Sequence, residues 1–380
     1  MAGDMKSFLG KLLDFLNGII DPIRQAQIDE LYENALSWKP LKRLPLVISF
    51  PISEDMAFRP FPHREIFEDP AKMLYNELVH TWGLSIASRE RLRDDLPLTI
   101  RANFGTGIVA SIFGGRIEQV DDNPPWVRHF ETLAEFKRAM EKDLADFNRG
   151  WCPRVVERYD YYRETLREYP VLQKTIRLPL PDLQGPFDTV ELLRGSEIFL
   201  DLYKTPEMVA DVLQKAAIAQ IEFARHLANH VSDGPQGYSH QHGVMITGNI
   251  LIRNDTAIMV SPEMYRSQIA PYDASILKEL GGGGMHACGN LQNQCPEFLG
   301  LPSMKCLDFG QSYLNDIDGV YERAKEKRIP LLRVQVPEKE LTTGCVMERF
   351  PTGVTLLHEA KSLDDASRIM EQYRKACASL

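Results

Sequence analysis

The sequence predicts an α/β protein built on a mostly parallel sheet, and three observations carry the prediction. Short apolar runs alternate with longer charged helical segments over most of the 380 residues. That length suits one large barrel or two ordinary domains. No low-complexity linker or short-period repeat interrupts it. A closed (β/α)8 barrel and an open doubly wound sheet both fit. No Gly-x-Gly-x-x-Gly follows an early strand, which weakens the dinucleotide-binding version of the open sheet.

Residues 1–40 read as helical. Phe8, Leu9, Leu12, Leu13, Leu16, Ile19 and Ile20 recur at helical spacing, interrupted by Lys11 and Asp14, and no small-residue cleavage site follows. This is an amphipathic helix packed on the domain or on a second subunit, a candidate homodimer element. Residues 44–50 form an apolar run ending at Pro51, expected as a buried strand. Residues 70–95 are expected as helix, and 98–113 as one or two strands broken by Gly105 and Gly107. Charged helices follow at 130–147 and 154–168, with Pro153 suited to a helix start.

Residues 189–193 are expected as a brief strand or a helix start after Gly185-Pro186. Thr205-Pro206-Glu207 opens a long helix to about His230, with a threonine cap and proline in the first turn. Residues 244–260 are β-branched and apolar, with turns at Gly248-Asn249 and Asn254-Asp255. Ser261-Pro262-Glu263 starts the next helix, where Glu263 complements the helix dipole. Residues 284–288, 303–309 and 329–336 read as three further strands, with helices near 296–300 and 315–327. A last strand at 353–357 and a closing helix at 363–376 complete the chain.

Composition excludes several functions. Hydrophobic residues at 44% and charged residues at 26% are those of a globular protein. The net charge of -9, with no basic stripe, argues against nucleic-acid binding. No segment approaches the roughly 20 apolar residues of a membrane span. Cys152, Cys288, Cys295, Cys306, Cys345 and Cys377 lack dense, regular spacing, so a reduced, cytoplasmic protein with free or metal-bound thiols is expected.

The chemistry concentrates in Gly281-Gly282-Gly283-Gly284-Met285-His286-Ala287-Cys288-Gly289-Asn290. In an extended segment His286 and Cys288 project to the same side. Zinc, a borderline-soft cation, prefers such donors. The spacing alone is equally that of a buried histidine beside a buried cysteine at a strand end. Asp255, between a strand and a helix, is expected to line the pocket as a catalytic or substrate-orienting carboxylate, or to cap a turn. His240 and His242 form another i, i+2 pair. They suit a solvated loop, or substrate contact if that loop lies on the catalytic face.

Several stretches together resemble the uroporphyrinogen decarboxylase superfamily. They are Gly185-Pro186-Phe187-Asp188-Thr189, Leu202-Tyr203-Lys204-Thr205-Pro206-Glu207, and Asn254-Asp255 through Ser261-Pro262-Glu263-Met264-Tyr265 to Pro271-Tyr272. The resemblance rests on their order and spacing. It implies one (β/α)8 barrel over residues 41–380, preceded by a helical extension at 1–40. Within the superfamily, His-x-Cys after this segment resembles the zinc-dependent, corrinoid-linked methyltransferases.

That resemblance implies a zinc cofactor, a corrinoid carried by a separate partner protein, and a small methyl donor or acceptor: a thiol, a methoxy compound or a methylamine. It also implies a third ligand far along the chain. Cys345 is preferred, since thiolate-rich sites suit zinc, with His358 as its rival. Asn103 stands near where the decarboxylase carries a carboxylate and is a substrate-binding candidate. The alternative is a metal-independent carboxy-lyase. It is disfavoured because Val47-Ile48-Ser49-Phe50-Pro51-Ile52 lacks the arginines that would grip substrate carboxylates.

Overall fold

The computed structural model describes residues 2–52, 57–81, 83–142, 144, 146–233, 237–241 and 243–378. Its strands are β1 (Leu46–Ser49), β2 (Arg116–Glu118), β3 (Trp126–Arg128), β4 (Tyr238–Gln241), β5 (Val244–Thr247), β6 (Ile250–Arg253), β7 (Gly283–Ala287), β8 (Met304–Phe309), β9 (Leu331–Gln335) and β10 (Val354–Glu359). Six of them form one parallel sheet in the order β1-β10-β9-β8-β7-β6. Helices connect the successive strands, because parallel neighbours need long crossovers. Parallel bridges continue past β6 from Arg253 to Gln184, and link Arg177 to Thr99. At the other edge the Asp95 amide donates to Leu46 O at 3.0 Å.

The strand expectations at 44–50, 284–288, 303–309, 329–336 and 353–357 all correspond to strands of this sheet. Three expectations are corrected. Among the described residues, 70–95 hold two separate helices, Pro70–Val79 and Arg89–Leu92. In residues 98–113 only Thr99 makes a bridge; Gly105–Gly107 is a 3-10 turn and Ile108–Ile112 a helix. That run is buried on every side, so its pattern carries no period that separates strand from helix. Residues 189–193 belong to the helix Pro186–Arg194, started by its proline. The long helix Pro206–Leu227 forms as expected, but the Thr205 hydroxyl donates to Asp201 O at 3.4 Å and does not cap it.

Residues 244–260 divide between two sheets. β4 and β5 pair antiparallel as a ribbon, and β6 enters the main sheet. The ribbon closes the N-terminal ends of the strands. Val244, Met245 and Ile246 pack with Leu251, Cys306 and Leu332, and with Ile28, Tyr32 and Leu36 of helix Pro22–Leu36. Gly281 and Gly282, both at positive φ, turn the chain from helix into β7 just above it.

The first helix, Ala2–Ile19, lies on the body of the protein. It buries Leu9, Leu12, Leu13 and Leu16, each worth about 1.5–3 kcal/mol, and Phe8 stacks on Tyr75. Among the described residues, no helix is long and apolar enough to cross a membrane.

Candidate metal centre

β7 brings the first two donors to the C-terminal end of the sheet. All five of its residues are buried. His286 sits in register between Arg253 of β6 and Asp308 of β8, so three polar side chains stand side by side across the strands. His286 Nδ1 lies 2.6 Å from Asp308 Oδ2. A carboxylate there fixes the proton on Nδ1 and leaves the Nε2 lone pair for another partner. Nε2 faces Cys288 Sγ at 3.6 Å and Asp255 Oδ1 at 3.8 Å.

Asp308 is itself held. Arg333 Nε donates to its Oδ1 at 2.7 Å, and a second guanidinium nitrogen reaches Oδ2. Burial alone would raise the Asp308 carboxyl; Arg333 and His286 outweigh it and hold the group well below the usual carboxylate range. Arg333 reaches this position with φ of 52°, a left-handed backbone uncommon outside glycine. Its amide donates to Thr355 Oγ1 at 3.0 Å, which fixes the turned backbone.

Asp255 completes the cluster from the 3-10 turn Asp255–Met259 that follows β6. Its Oδ1 accepts from the Cys288 amide at 2.7 Å. The turn is anchored beneath by Asp188, whose carboxylate accepts from the Asp255 amide at 2.9 Å and the Thr256 amide at 2.8 Å. Burial, then the charge of Asp255, pushes the Asp188 carboxyl up to about 8. Burial and Asp255 likewise push the Cys288 thiol up to about 12. Without a cation, Cys288 is therefore a thiol.

Asp255, His286 and Cys288 offer one oxygen, one nitrogen and one sulfur, all within 4.8 Å of one another. They fit a small divalent ion. Tetrahedral zinc at ordinary bond lengths places sulfur and nitrogen ligands about 3.6 Å apart. Cys288 Sγ and His286 Nε2 stand at 3.6 Å. Asp255 is half exposed, so one side of the cluster remains open to a small molecule.

The other expected ligands are not brought to this cluster. Cys345 lies in the turn between helices Glu338–Thr343 and Val346–Arg349, where Thr343 Oγ1 donates to its sulfur at 3.2 Å. His358 is on β10, separated from β7 by β9 and β8, with Nδ1 2.9 Å from Val336 O. The group that stands beside His286 and Cys288, and could serve as a third donor, is Asp255, which the sequence marked as a pocket carboxylate.

Of the expected substrate contacts, His240 lies elsewhere. His240 is on the ribbon under the N-terminal ends of the strands, away from the end that carries His286, and its Nδ1 is 2.6 Å from Asp233 Oδ1. His242 lies outside the described residues. Asn103 donates to Glu77 Oε1 at 2.9 Å and lines a cavity of about 360 Å³ with Phe61, His63, Glu77 and His80.

Sequence reasoning missed the polar shell. Asp182 pairs with Arg101 and with Arg253, each at 2.6 Å. Asp308 and Arg333 bear directly on His286. A signal existed: both interrupt runs that otherwise read as fully buried strand, where a charge requires a partner.

No protein-family model and no curated protein matches this chain.

Proposed function

We propose that this protein is a zinc-dependent methyltransferase, moving a methyl group between a corrinoid protein and a small thiol, methoxy compound or methylamine. The observation that carries the reading is the oriented donor set: Asp308 fixes His286, and His286 Nε2 converges with Cys288 Sγ and Asp255 Oδ1. The reaction class comes from His286-x-Cys288, which resembles the corrinoid-linked methyltransferases, following motifs whose order resembles the uroporphyrinogen decarboxylase superfamily. The parallel bridge from Arg253 to Gln184 past β6, the bridge between Arg177 and Thr99, and the Asp95–Leu46 backbone bond at β1 support a closed (β/α)8 arrangement, with the cluster at its mouth.

His286, Cys288 and Asp255 would hold the ion. Bound there, zinc would supply the Lewis acidity that keeps a thiol ionised at neutral pH or polarises an ether or alcohol oxygen. The protein's own groups do the rest. Asp308 keeps the His286 proton on Nδ1. Asp188, receiving two backbone amides, holds the Asp255 turn. Asp255, half exposed, is the group placed to orient a substrate at the open side.

Cys288→Ala tests the assignment. The variant is expected to keep its circular dichroism spectrum, lose zinc by elemental analysis, and lose methyl transfer to a reduced corrinoid partner. A zinc-free variant that still transfers methyl groups overturns the reading.

One observation favours the carboxy-lyase alternative. Arg101 is buried and Arg253 partly buried beside the cluster, and the Nε of each is enclosed without a hydrogen-bond partner, as a carboxylate-binding site would require. Carboxy-lyase activity that survives chelation would select it.

A further inference from the structure

Two of the three donors stand on separate connections. Cys288 begins the segment 288–294 that follows β7, and Asp255 begins the 3-10 turn that follows β6. Sheet pairing holds the strand ends in register but does not extend to these segments. One bond joins them at the cluster itself, from the Cys288 amide to Asp255 Oδ1 at 2.7 Å. A second tie lies away from the cluster, at Gln294.

The Asp255 turn is poorly held by its own backbone. Ala257 N donates to Asn254 O at 3.4 Å and Val260 N to Ala257 O at 3.5 Å, both long. Side chains secure it from both ends. Asp188 accepts from its first two amides. Gln294, which closes the Cys288 segment, donates from Nε2 to Ala257 O at 2.9 Å and to Val260 O at 2.7 Å. Both partners are carbonyl oxygens, which only accept, so the amide nitrogen must face them. Gln294 is 2% exposed, and its Oε1 is enclosed without a partner. An amide with an unmet oxygen is a costly way to fill buried space, so its value lies in the two donations.

The Cys288 segment is itself pinned from its other side. Gln311 Oε1 accepts from the Gly289 amide at 2.5 Å, and Asn315 Oδ1 accepts from the Leu291 amide at 2.6 Å. Both residues belong to the connection after β8. Gly289, at φ of 83°, lies so near the turn that an added Cβ would stand 2.8 Å from Ile258 Cδ1. The segment is thus a fixed frame, and Gln294 is the arm it extends to the Asp255 turn.

We propose that Gln294 is a positioning residue of the metal centre: by clamping the carbonyl end of the Asp255 turn to the Cys288 segment, it sets Asp255 Oδ1 opposite Cys288 Sγ and His286 Nε2 before an ion arrives. The proposal rests on the metal-site reading for its effect on zinc. Its geometric part, the seating of Asp255 against Cys288, is measurable without metal.

Gln294→Met, which keeps the length and removes both donors, is compared with Val209→Ala, a cavity-making change at a buried position of helix Pro206–Leu227. The second variant controls for lost stability. In metal-free, full-length protein, hydrogen exchange at the Cys288 amide is expected to quicken about tenfold or more in Gln294→Met and to stay at the parent's rate in Val209→Ala. Zinc affinity, by competition with a chelator, should fall about 10–100-fold in Gln294→Met alone. Its cobalt(II) form should keep the thiolate charge-transfer absorption and change in the bands that report the oxygen ligand. Should Gln294→Met fail to fold, Gln294→Asn carries the same test, since its shorter amide reaches at most one of the carbonyls. Unchanged exchange at Cys288, or an equal loss of zinc affinity in Val209→Ala, would overturn the proposal. A parent protein that binds no zinc would sink the metal-site reading instead, and the exchange rates alone would then decide whether Gln294 seats Asp255.

Discussion

Asp308 Oδ2 stands 2.6 Å from His286 Nδ1, on the neighbouring strand and in direct register. The imidazole thus has one edge held by a carboxylate and the other turned to Cys288 and Asp255, set by β-sheet pairing and not by a loop. Asp308→Asn keeps the shape and removes the charge that fixes the proton and balances Arg333. Zinc affinity is expected to fall about 10–100-fold, as when other outer-shell partners of metal-bound histidines are lost. Competition with a chromophoric chelator measures this. An unchanged affinity would show that Asp308 serves only Arg333.

The third donor is decided by comparing three single variants. Asp255→Ala is expected to lower zinc occupancy, because its oxygen is the nearest charged acceptor to His286 Nε2 after Asp308 is accounted for. Cys345→Ala and His358→Ala are expected to retain zinc, since each side chain already has a partner elsewhere. Zinc-to-protein ratios after dialysis give the answer. Loss of metal in either of the latter two would restore the assignment drawn from sequence.

Much of this site was legible before the structure. His286, Cys288 and Asp255 stood out because they end apolar runs at a glycine or a turn, although that pattern alone equally suits a buried pair and a turn cap. The structure brings neither Cys345 nor His358 beside His286 and Cys288: Cys345 sits in a turn between two helices, and β10 lies three places from β7 in the sheet, neither of which spacing along the chain discloses. Asp308 and Arg333 were hidden for a different reason. A buried ion pair between adjacent strands looks, in one dimension, like two isolated charges in separate hydrophobic runs. The fold was legible where strands were short, apolar and bounded by turns, and illegible at 98–113, where all-round burial erases periodicity.

Asp273 makes stability pH-dependent. It is fully buried, its Oδ2 accepts from Asn254 Nδ2 at 2.6 Å and Tyr265 OH at 2.8 Å, and burial pushes its carboxyl from 3.8 up to about 7. Between those values the folded protein holds a proton that the unfolded chain has released. Stability therefore falls as pH rises through that window, by up to about 1.4 kcal/mol per pH unit. Asp188 acts in the same sense, with its carboxyl up to about 8. Asp273→Asn mimics the protonated form, so urea midpoints measured from pH 4 to 8 are expected to fall less steeply than in the parent. Parallel profiles would exclude Asp273 as the source.

Gly310 offers a test of how tightly the thiol is seated. A Cβ added there would lie 2.5 Å from Cys288 Sγ, 3.0 Å from its Cα and 3.2 Å from its Cβ. The backbone at Gly310 is not in the left-handed region, so space alone opposes a side chain. Gly310→Ala is expected to cost about 1–3 kcal/mol by overpacking and to weaken zinc binding by displacing the sulfur. Cys288→Ala removes only the nearest of the three contacts. The double variant should therefore be more stable than the sum of the single effects implies, yet still less stable than Cys288→Ala alone. Urea midpoints of the four proteins, at constant denaturant slope, measure that coupling. Strict additivity would mean that the chain at Gly310 moves away without disturbing Cys288, and that the thiol is held by Asp255 and His286 alone.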